Sequence, residues 1–454
     1  MKHALITPER LGLSTDLYEL TMAAAYFDAG LSDRQATFDL NIRNLPPERS
    51  YLMAAGLEQV LAYLRDFRFG PEALDYLAGI GYFRREFIDY LGSLRFSGTV
   101  DAIPEGTVFF PPAPLLRISA PIIESQIIET YLLTTITYQT MIASKASRIV
   151  DAARGRRVVD FSPRRGHGPQ AGLLCARAAV IGGCSGSSNV LANERFGIEI
   201  SGTMAHSFVM FHGDEEEAFR AFSLSYRGDP TLLIDTYDTV KGARAAIRVA
   251  TWLRQQGRRL AAVRIDSGNL AESARTVRQI LDEAGLTKVR IFASGNLDEH
   301  KIDALARASV PLDAFGVGTE LGTSGDSPSL DSTYKLVSHT NTDGTETPVI
   351  KLSTGKSTLP GHKQVWRQQD TNGCMVGDTI ALSDEHLKGQ PLLVRVLEGG
   401  EPVGSIPSLS EIRQHGRDQI ARLSPSIRRL GDPEIYPITT SDELRTLANS
   451  LSNR

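Results

Sequence analysis

Ala261-Ala-Val-Arg-Ile-Asp-Ser-Gly268 is an apolar run interrupted by a cation and closed by a carboxylate and small residues. A strand buried on both faces reads this way when its last side chains look into a cavity. Comparable runs recur from about Arg157: Val158-Val-Asp-Phe161, Gly197-Ile-Glu-Ile200, Leu232-Leu-Ile234, Val289-Arg-Ile-Phe292 and Ala314-Phe-Gly-Val317. A helical pattern follows each, so the segment is a series of βα units around a parallel sheet. An open doubly wound sheet and a closed barrel both produce this alternation. The barrel is favoured by the polar strand ends, Arg164-Arg165, Thr203 to His206, Asp235-Thr236, Arg264 to Gly268, Ser294-Gly295 and Gly316 to Thr319. Closure would bring them into one pocket at the strand C-termini.

Outward from this segment the pattern changes. Asp16 and Glu19 predict a capping box opening a helix that Gly30 closes, and Ala36 to Ile42 alternates like a strand. Phe96 to Val100 and Leu115 to Ile118 read as further short strands. Beyond Lys351 the chain turns rich in Ser, Thr, Gly and Pro, with Ser353-Thr-Gly-Lys-Ser-Thr-Leu-Pro-Gly361 as connector. Pro391 to Leu397 is strand-like, and helices are expected after Ser408. The expected fold is α/β: an irregular β/α barrel over 146–352, an α+β domain over 1–145, and a C-terminal segment over 353–454 packing on that domain.

The 454 residues exceed what one hydrophobic core holds. A net charge of -4 argues against a dedicated nucleic-acid or membrane surface and leaves small molecules as the expected partners. The N-terminus has no apolar signal-like region, and no apolar run reaches membrane-spanning length, so cytoplasmic residence is expected. Cys175, Cys184 and Cys374 are too widely spaced for a zinc knuckle or redox pair. Gly355-Lys356-Ser357 resembles the end of a P-loop, but Ile350 stands where the first glycine belongs. Any ATP must be held another way.

Four groups of residues carry candidate chemistry. His206, in Gly202-Thr-Met-Ala-His206, follows a short strand on a turn of small residues. An imidazole there can accept a phosphoryl group, its attacking nitrogen set by a neighbouring carboxylate or carbonyl. An isolated histidine is more often structural, and the other eight are read so. Arg264 and Asp266, two residues apart on a strand, face the same side. The guanidinium suits a carboxylate or aromatic ring, and the aspartate suits ribose hydroxyls or developing positive charge. An internal ion pair is the plainer alternative. Ser294-Gly295-Asn296 and Gly316-Val-Gly318-Thr319 can offer backbone N–H groups to a phosphate. Arg164 and Arg165 suit pyrophosphate or an aromatic acid, unless they merely form a solvated loop.

Taken in order, Phe161-Ser-Pro-Arg-Arg165, Ser187-Ser-Asn-Val-Leu191, Gly202-Thr-Met-Ala-His-Ser-Phe208, Val263-Arg-Ile-Asp-Ser-Gly268, Gly316-Val-Gly-Thr319 and Tyr334-Lys-Leu336 resemble the nicotinate phosphoribosyltransferase family. The resemblance runs from Asp16-Leu-Tyr-Glu-Leu-Thr-Met22 to Thr358-Leu-Pro-Gly361. It implies an irregular barrel joined to an α+β domain, and a homodimer with active sites at the subunit interface. The implied reaction joins nicotinate to phosphoribosyl pyrophosphate in NAD biosynthesis. By the same resemblance His206 is phosphorylated by ATP, and Thr203, Arg264 and the partner subunit's Tyr18 hold nicotinate. Thr319, with Gly318 in its turn, contacts phosphoribosyl pyrophosphate, and Ser294 and Gly295 bind its 5′-phosphate. For that reaction Asp266 and Asp235 are expected to steady the ribose and a pyrophosphate-bound Mg²⁺, with no metal site of the protein's own assigned. Arg164 and Arg165 would offset charge on the leaving group. The sequence departs from the family pattern at Ser162-Pro163, where Gly-Leu is more usual, and at Gly166-His167. Transfer to nicotinamide, a barrel sugar-phosphate isomerase or aldolase, and a non-catalytic ligand sensor are the competing readings.

Overall fold

The computed structural model describes residues 7–352 and 358–453. The core of the expected connector, 353–357, and with it Lys356 and Ser357, lies outside the described residues. The chain divides into two compact units, Met1–Met141 with Ser329–Arg454, and Ile142–Pro328.

The first unit is α+β and is assembled from both ends of the chain. Its seven-stranded antiparallel sheet runs Glu346–Pro348, Ser332–Thr340, Gln35–Ile42, Pro114–Pro121, Thr99–Ala102, Val394–Glu398, Glu401–Pro402. Gln35–Ile42 is central because Ala36, Phe38, Leu40 and Ile42 are buried. Ser332–Thr340 pairs along its length, from Ala36 opposite His339 to Ile42 opposite Ser332. The unit therefore regains the chain at Ser329, earlier than the expected seam after residue 352. A four-stranded sheet of Gln390–Pro391, Lys363–Gln369, Met375–Leu382 and Ile438–Thr440 completes the unit. The strand expected over Pro391 to Leu397 is split, its second part being Val394–Glu398.

Ser408 and Glu411 do form a capping box on helix Leu409–Ala421. Asp16 and Glu19 do not: Asp16 caps Leu17–Asp28 without a side-chain hydrogen bond. Glu19 turns inward instead, where Thr130 donates to it from its amide (3.2 Å) and its hydroxyl (2.9 Å). A buried acceptor satisfied by two donors outweighs the few tenths to ~1 kcal/mol that a cap supplies.

The second unit is the βα series. We number its parallel strands β1 (Arg157–Asp160), β2 (Gly186–Ser187), β3 (Thr231–Leu233), β4 (Ala262–Ile265), β5 (Arg290–Ala293) and β6 (Ala314–Val317). They lie in the order β2-β1-β6-β5-β4-β3. Val159, Leu232, Leu233, Val263, Ile265, Ile291, Phe315 and Val317 are all buried, as a sheet covered on both faces requires. Short loops lead to helices whose N-caps Asn189, Asp238, Asn269 and Asp298 each accept a backbone N–H of the first turn.

The sheet curls as a half-barrel, with β2 and β3 as its edge strands among the described residues. One expected strand is corrected. Gly197 to Ile200 is not a strand, because Gly197 takes φ 66° to terminate helix Val190–Phe196. Only Ile200 reaches the sheet, through a single bridge to Ser187, and β2 occupies the position instead.

Candidate active site

The strand C-termini of the second unit enclose a cleft of about 490 Å³. Phe161 and Pro163 to Arg165 after β1, Ser188 after β2, Arg264 on β4 and Asp266 just after it, Ser294 to Asn296 after β5, and Gly316, Gly318 and Thr319 at β6 all line it, together with Gly202 to Ala205. Residues from five of six strands reach one wall only if the sheet bends toward closure.

Arg264 is the most constrained cation in the cleft. Its Nη1 donates to Thr203 Oγ1 at 2.5 Å, and its Nη2 donates to Asp266 Oδ1 at 3.4 Å. The guanidinium carbon lies 5.8 Å from the centre of the Phe161 ring. Burial pulls the Arg264 pKa down, while the carboxylates of Asp266 and Asp235 oppose that pull. Its buried Nε has no hydrogen-bond partner. A desolvated guanidinium on a cleft wall, tied at Nη1 to a neutral hydroxyl and only loosely at Nη2 to Asp266, is an incomplete anion site. The plain Arg–Asp pair is therefore present but long, and it leaves donors free.

Asp266 is the hub of the site. Ser294 Oγ donates to its Oδ1, and Asp235 Oδ2 accepts its amide at 2.8 Å and the Ser267 hydroxyl at 2.7 Å. Asp235 thus stands behind Asp266 rather than on the cleft wall, with its Oδ1 unpartnered. His206, first residue of helix His206–His212, places Nε2 3.8 Å from Asp266 Oδ2 and Nδ1 3.2 Å from Thr236 Oγ1. A hydroxyl, rather than the expected carboxylate or carbonyl, fixes Nδ1. Thr203, Arg264, Asp266 and His206 form one contiguous polar chain.

The glycine turns are required by close packing. Gly295 has φ 95°, and a Cβ there would sit 1.8 Å from the Asp266 carbonyl oxygen. A Cβ on Gly316 would lie 2.6 Å from the Phe161 ring. Only glycine brings these backbones so near their neighbours.

Of the residues singled out from the sequence, Arg164, Arg165, Thr203, Arg264, Asp266, Ser294, Gly295, Gly318 and Thr319 line the cleft, and Asp235 and His206 adjoin Asp266. Tyr18 belongs to the other unit, on helix Leu17–Asp28, and is 47% exposed. Asn296, read with the Ser294-Gly295 turn, lines the cleft as well, whereas Phe161 as the surface under Arg264, Thr236 as the partner of His206 and Ser188 as a lining residue were not foreseen. Phe161 and Thr236 were legible as members of polar strand ends, but nothing in the sequence pairs them with their partners. No group of three His, Cys, Asp or Glu side chains among the described residues could hold a metal ion.

Residues 13–137 match the family described as nicotinate phosphoribosyltransferase N-terminal domain, and residues 386–448 its C-terminal domain. Residues 142–326 match the quinolinate phosphoribosyl transferase C-terminal domain. The chain is 46% identical over 436 residues to a nicotinate phosphoribosyltransferase of Mycobacterium tuberculosis, covering 95% of this chain and 92% of that protein. It is 38% identical to that of Bacillus subtilis, covering 96% and 94%. The human nicotinic acid phosphoribosyltransferase crystal structure superposes with a TM-score of 0.85 at 29% identity, covering 96% of this chain and 99% of that one.

Proposed function

The chain belongs to the nicotinate phosphoribosyltransferase family, and on that footing we propose that it forms nicotinate mononucleotide and pyrophosphate from nicotinate and phosphoribosyl pyrophosphate in NAD salvage, with ATP turnover coupled through phosphorylation of His206. The observation that carries this reading is the half-satisfied guanidinium of Arg264, beside Thr203 and over Phe161, in the same cleft as two glycine turns. The first is a place for an aromatic carboxylate and the second for phosphate.

The pyridine nitrogen attacks C1 of the ribose as pyrophosphate leaves, so positive charge develops on the sugar. Arg264 and Thr203 orient the nicotinate carboxylate. Asp266, held in place by Ser294 and Asp235, faces the developing charge. Ser294, Gly295, Gly318 and Thr319 receive phosphate oxygens, and Arg164 and Arg165 balance the leaving group. A Mg²⁺ carried by pyrophosphate needs only one or two protein carboxylates. Asp266, on the cleft wall, fits that demand and would hold it, with Asp235 supporting it from behind by accepting its amide, and the ion would neutralise charge on the departing pyrophosphate.

Phosphorylated His206 favours the substrate-binding state, and loss of its phosphoryl group releases products, so ATP shifts the equilibrium through differential affinity. The reading includes a homodimer in the cytoplasm, with Tyr18 supplied across the interface. Val190, Leu191, Met210 and Phe211 support it, being 50–92% exposed on helices that leave the cleft loops. No helix among the described residues is long and apolar enough to cross a membrane. The test is turnover of nicotinate against nicotinamide, with and without ATP. Preference for nicotinate with ATP stimulation supports the reading, and faster use of nicotinamide replaces it.

A further inference from the structure

Asp160 ends β1, is fully buried and has no role in the chemistry above. Its Oδ1 accepts the Ser162 amide at 2.8 Å, and its Oδ2 accepts the Ser187 hydroxyl at 2.7 Å. Its backbone carbonyl accepts the Ser188 amide at 2.9 Å. Burial pushes its pKa up while the bonds from Ser162 and Ser187 pull it down, with no cation contributing. A carboxylate buried without a cation is tolerated only when its oxygens are satisfied, and here each oxygen accepts from a different turn.

The two turns it joins are both walls of the cleft. The Ser162 carbonyl accepts the amides of Arg165 (2.7 Å) and Gly166 (3.0 Å), which folds the turn carrying the paired arginines. Ser187 Oγ accepts the Asn189 amide at 3.1 Å, which closes the turn carrying Ser188. Gly322 backs the first turn so closely that a Cβ there would lie 2.5 Å from Ser162 Cβ. The turn has no slack on that side; the Ser162 hydroxyl meets Cys175 Sγ at 3.1 Å, and the carboxylate is what ties the turn to the one after β2.

We infer that Asp160 is a positioning residue for phosphoribosyl pyrophosphate: its carboxylate ties the 162–166 turn to the 187–189 turn and sets the spacing at which Arg164, Arg165 and Ser188 meet the pyrophosphate. The inference rests on the function proposed above. An alanine at this position removes both acceptors, so both ties are lost, whereas an amide could still accept from the Ser162 N–H and donate to the Ser187 hydroxyl.

The test uses the full-length protein, Asp160→Ala, Ser187→Ala and the double variant, with steady-state kinetics in both substrates. Loss of the hydrogen bonds to a buried charge should raise the phosphoribosyl pyrophosphate KM about tenfold in Asp160→Ala, which cuts both ties, and less in Ser187→Ala, which cuts one. The nicotinate KM and kcat should stay within about twofold. The double variant should be no worse than Asp160→Ala, since the tie to Ser187 is already gone. An unchanged phosphoribosyl pyrophosphate KM in both single variants, or equal rises for both substrates, overturns the inference. If Asp160→Ala does not fold, Ser187→Ala decides by the same criteria. A wild-type protein that makes no nicotinate mononucleotide removes the proposed function and the inference with it, whereas an active wild type with indifferent variants removes the inference alone.

Discussion

Replacing Arg264 by Lys keeps the charge and discards the fork. The lysine ammonium cannot both reach Thr203 Oγ1 and present a second donor to a carboxylate, and it has no planar face to lie over Phe161. Hydrogen bonds to a charged group are worth about 1.5–3 kcal/mol. Because lysine keeps a cation near the ring, only part of the ring contact is lost, about 0.5–1 kcal/mol. The combined loss, roughly 2–4 kcal/mol, corresponds to a fall of roughly 30- to 1,000-fold in kcat/KM for nicotinate. The phosphoribosyl pyrophosphate KM should move by no more than about threefold, because the phosphate turns do not touch Arg264. Initial rates with either substrate varied, on protein whose thermal unfolding is checked in parallel, measure this. An unchanged nicotinate KM would refute the assignment, and so would an equal loss for both substrates.

Other expectations follow from the same contacts. His206→Ala should abolish stimulation by ATP and leave slow, uncoupled transfer, as read by product formed with and without ATP; full stimulation would remove His206 from the coupling. Gly295→Ala must displace the Asp266 carbonyl that its Cβ would meet at 1.8 Å. It should raise the phosphoribosyl pyrophosphate KM by about tenfold or more, and wild-type kinetics would show that the turn is not the phosphate seat. Burial raises the Glu19 pKa from 4.5 to about 7. The native state therefore favours the protonated acid, and this contribution, at most ~3 kcal/mol, is present below pH 4.5 and lost as pH rises through 7. Glu19→Gln should thus gain thermal stability over wild type at pH 8 relative to pH 5, and parallel melting curves at both pH values would contradict it.

The βα series was legible because its strands are buried on both faces, so β4 and β6 appear as near-continuous apolar runs with little else to explain them. The edge strand β2 was not, since two residues, Gly186 and Ser187, carry no periodicity at all. Gly197 to Ile200 looked more like a strand, but its glycine was needed as a helix terminator. At the N-terminus Asp16 and Glu19 have the spacing of a capping box, yet that spacing cannot report that Thr130, more than a hundred residues away, offers Glu19 better donors. The seam near Ser329 was hidden for a similar reason, because Ser332–Thr340 is assigned by its pairing with Gln35–Ile42 and not by its own composition.

In the site, Arg264 and Asp266 could be read together because they lie two residues apart at the end of one strand. The roles of His206, Thr203 and Tyr18 came from resemblance, which ordered the short motifs along the chain. Long-range pairings remained invisible: Phe161 under Arg264, Thr236 on His206, and the carboxylate of Asp160 between two turns. Each of these joins residues from different strands, and no local pattern records which strand ends will face each other.

The central claim is that one cleft holds an aromatic acid at Arg264 and a sugar phosphate at the glycine turns. A crystal structure with nicotinate mononucleotide measures it directly. The carboxylate should lie on Arg264 and Thr203, and the 5′-phosphate on the backbone N–H groups of the turns at Gly295 and Gly318. A nucleotide bound away from Arg264, or with its phosphate turned toward His206 and away from both turns, would contradict it.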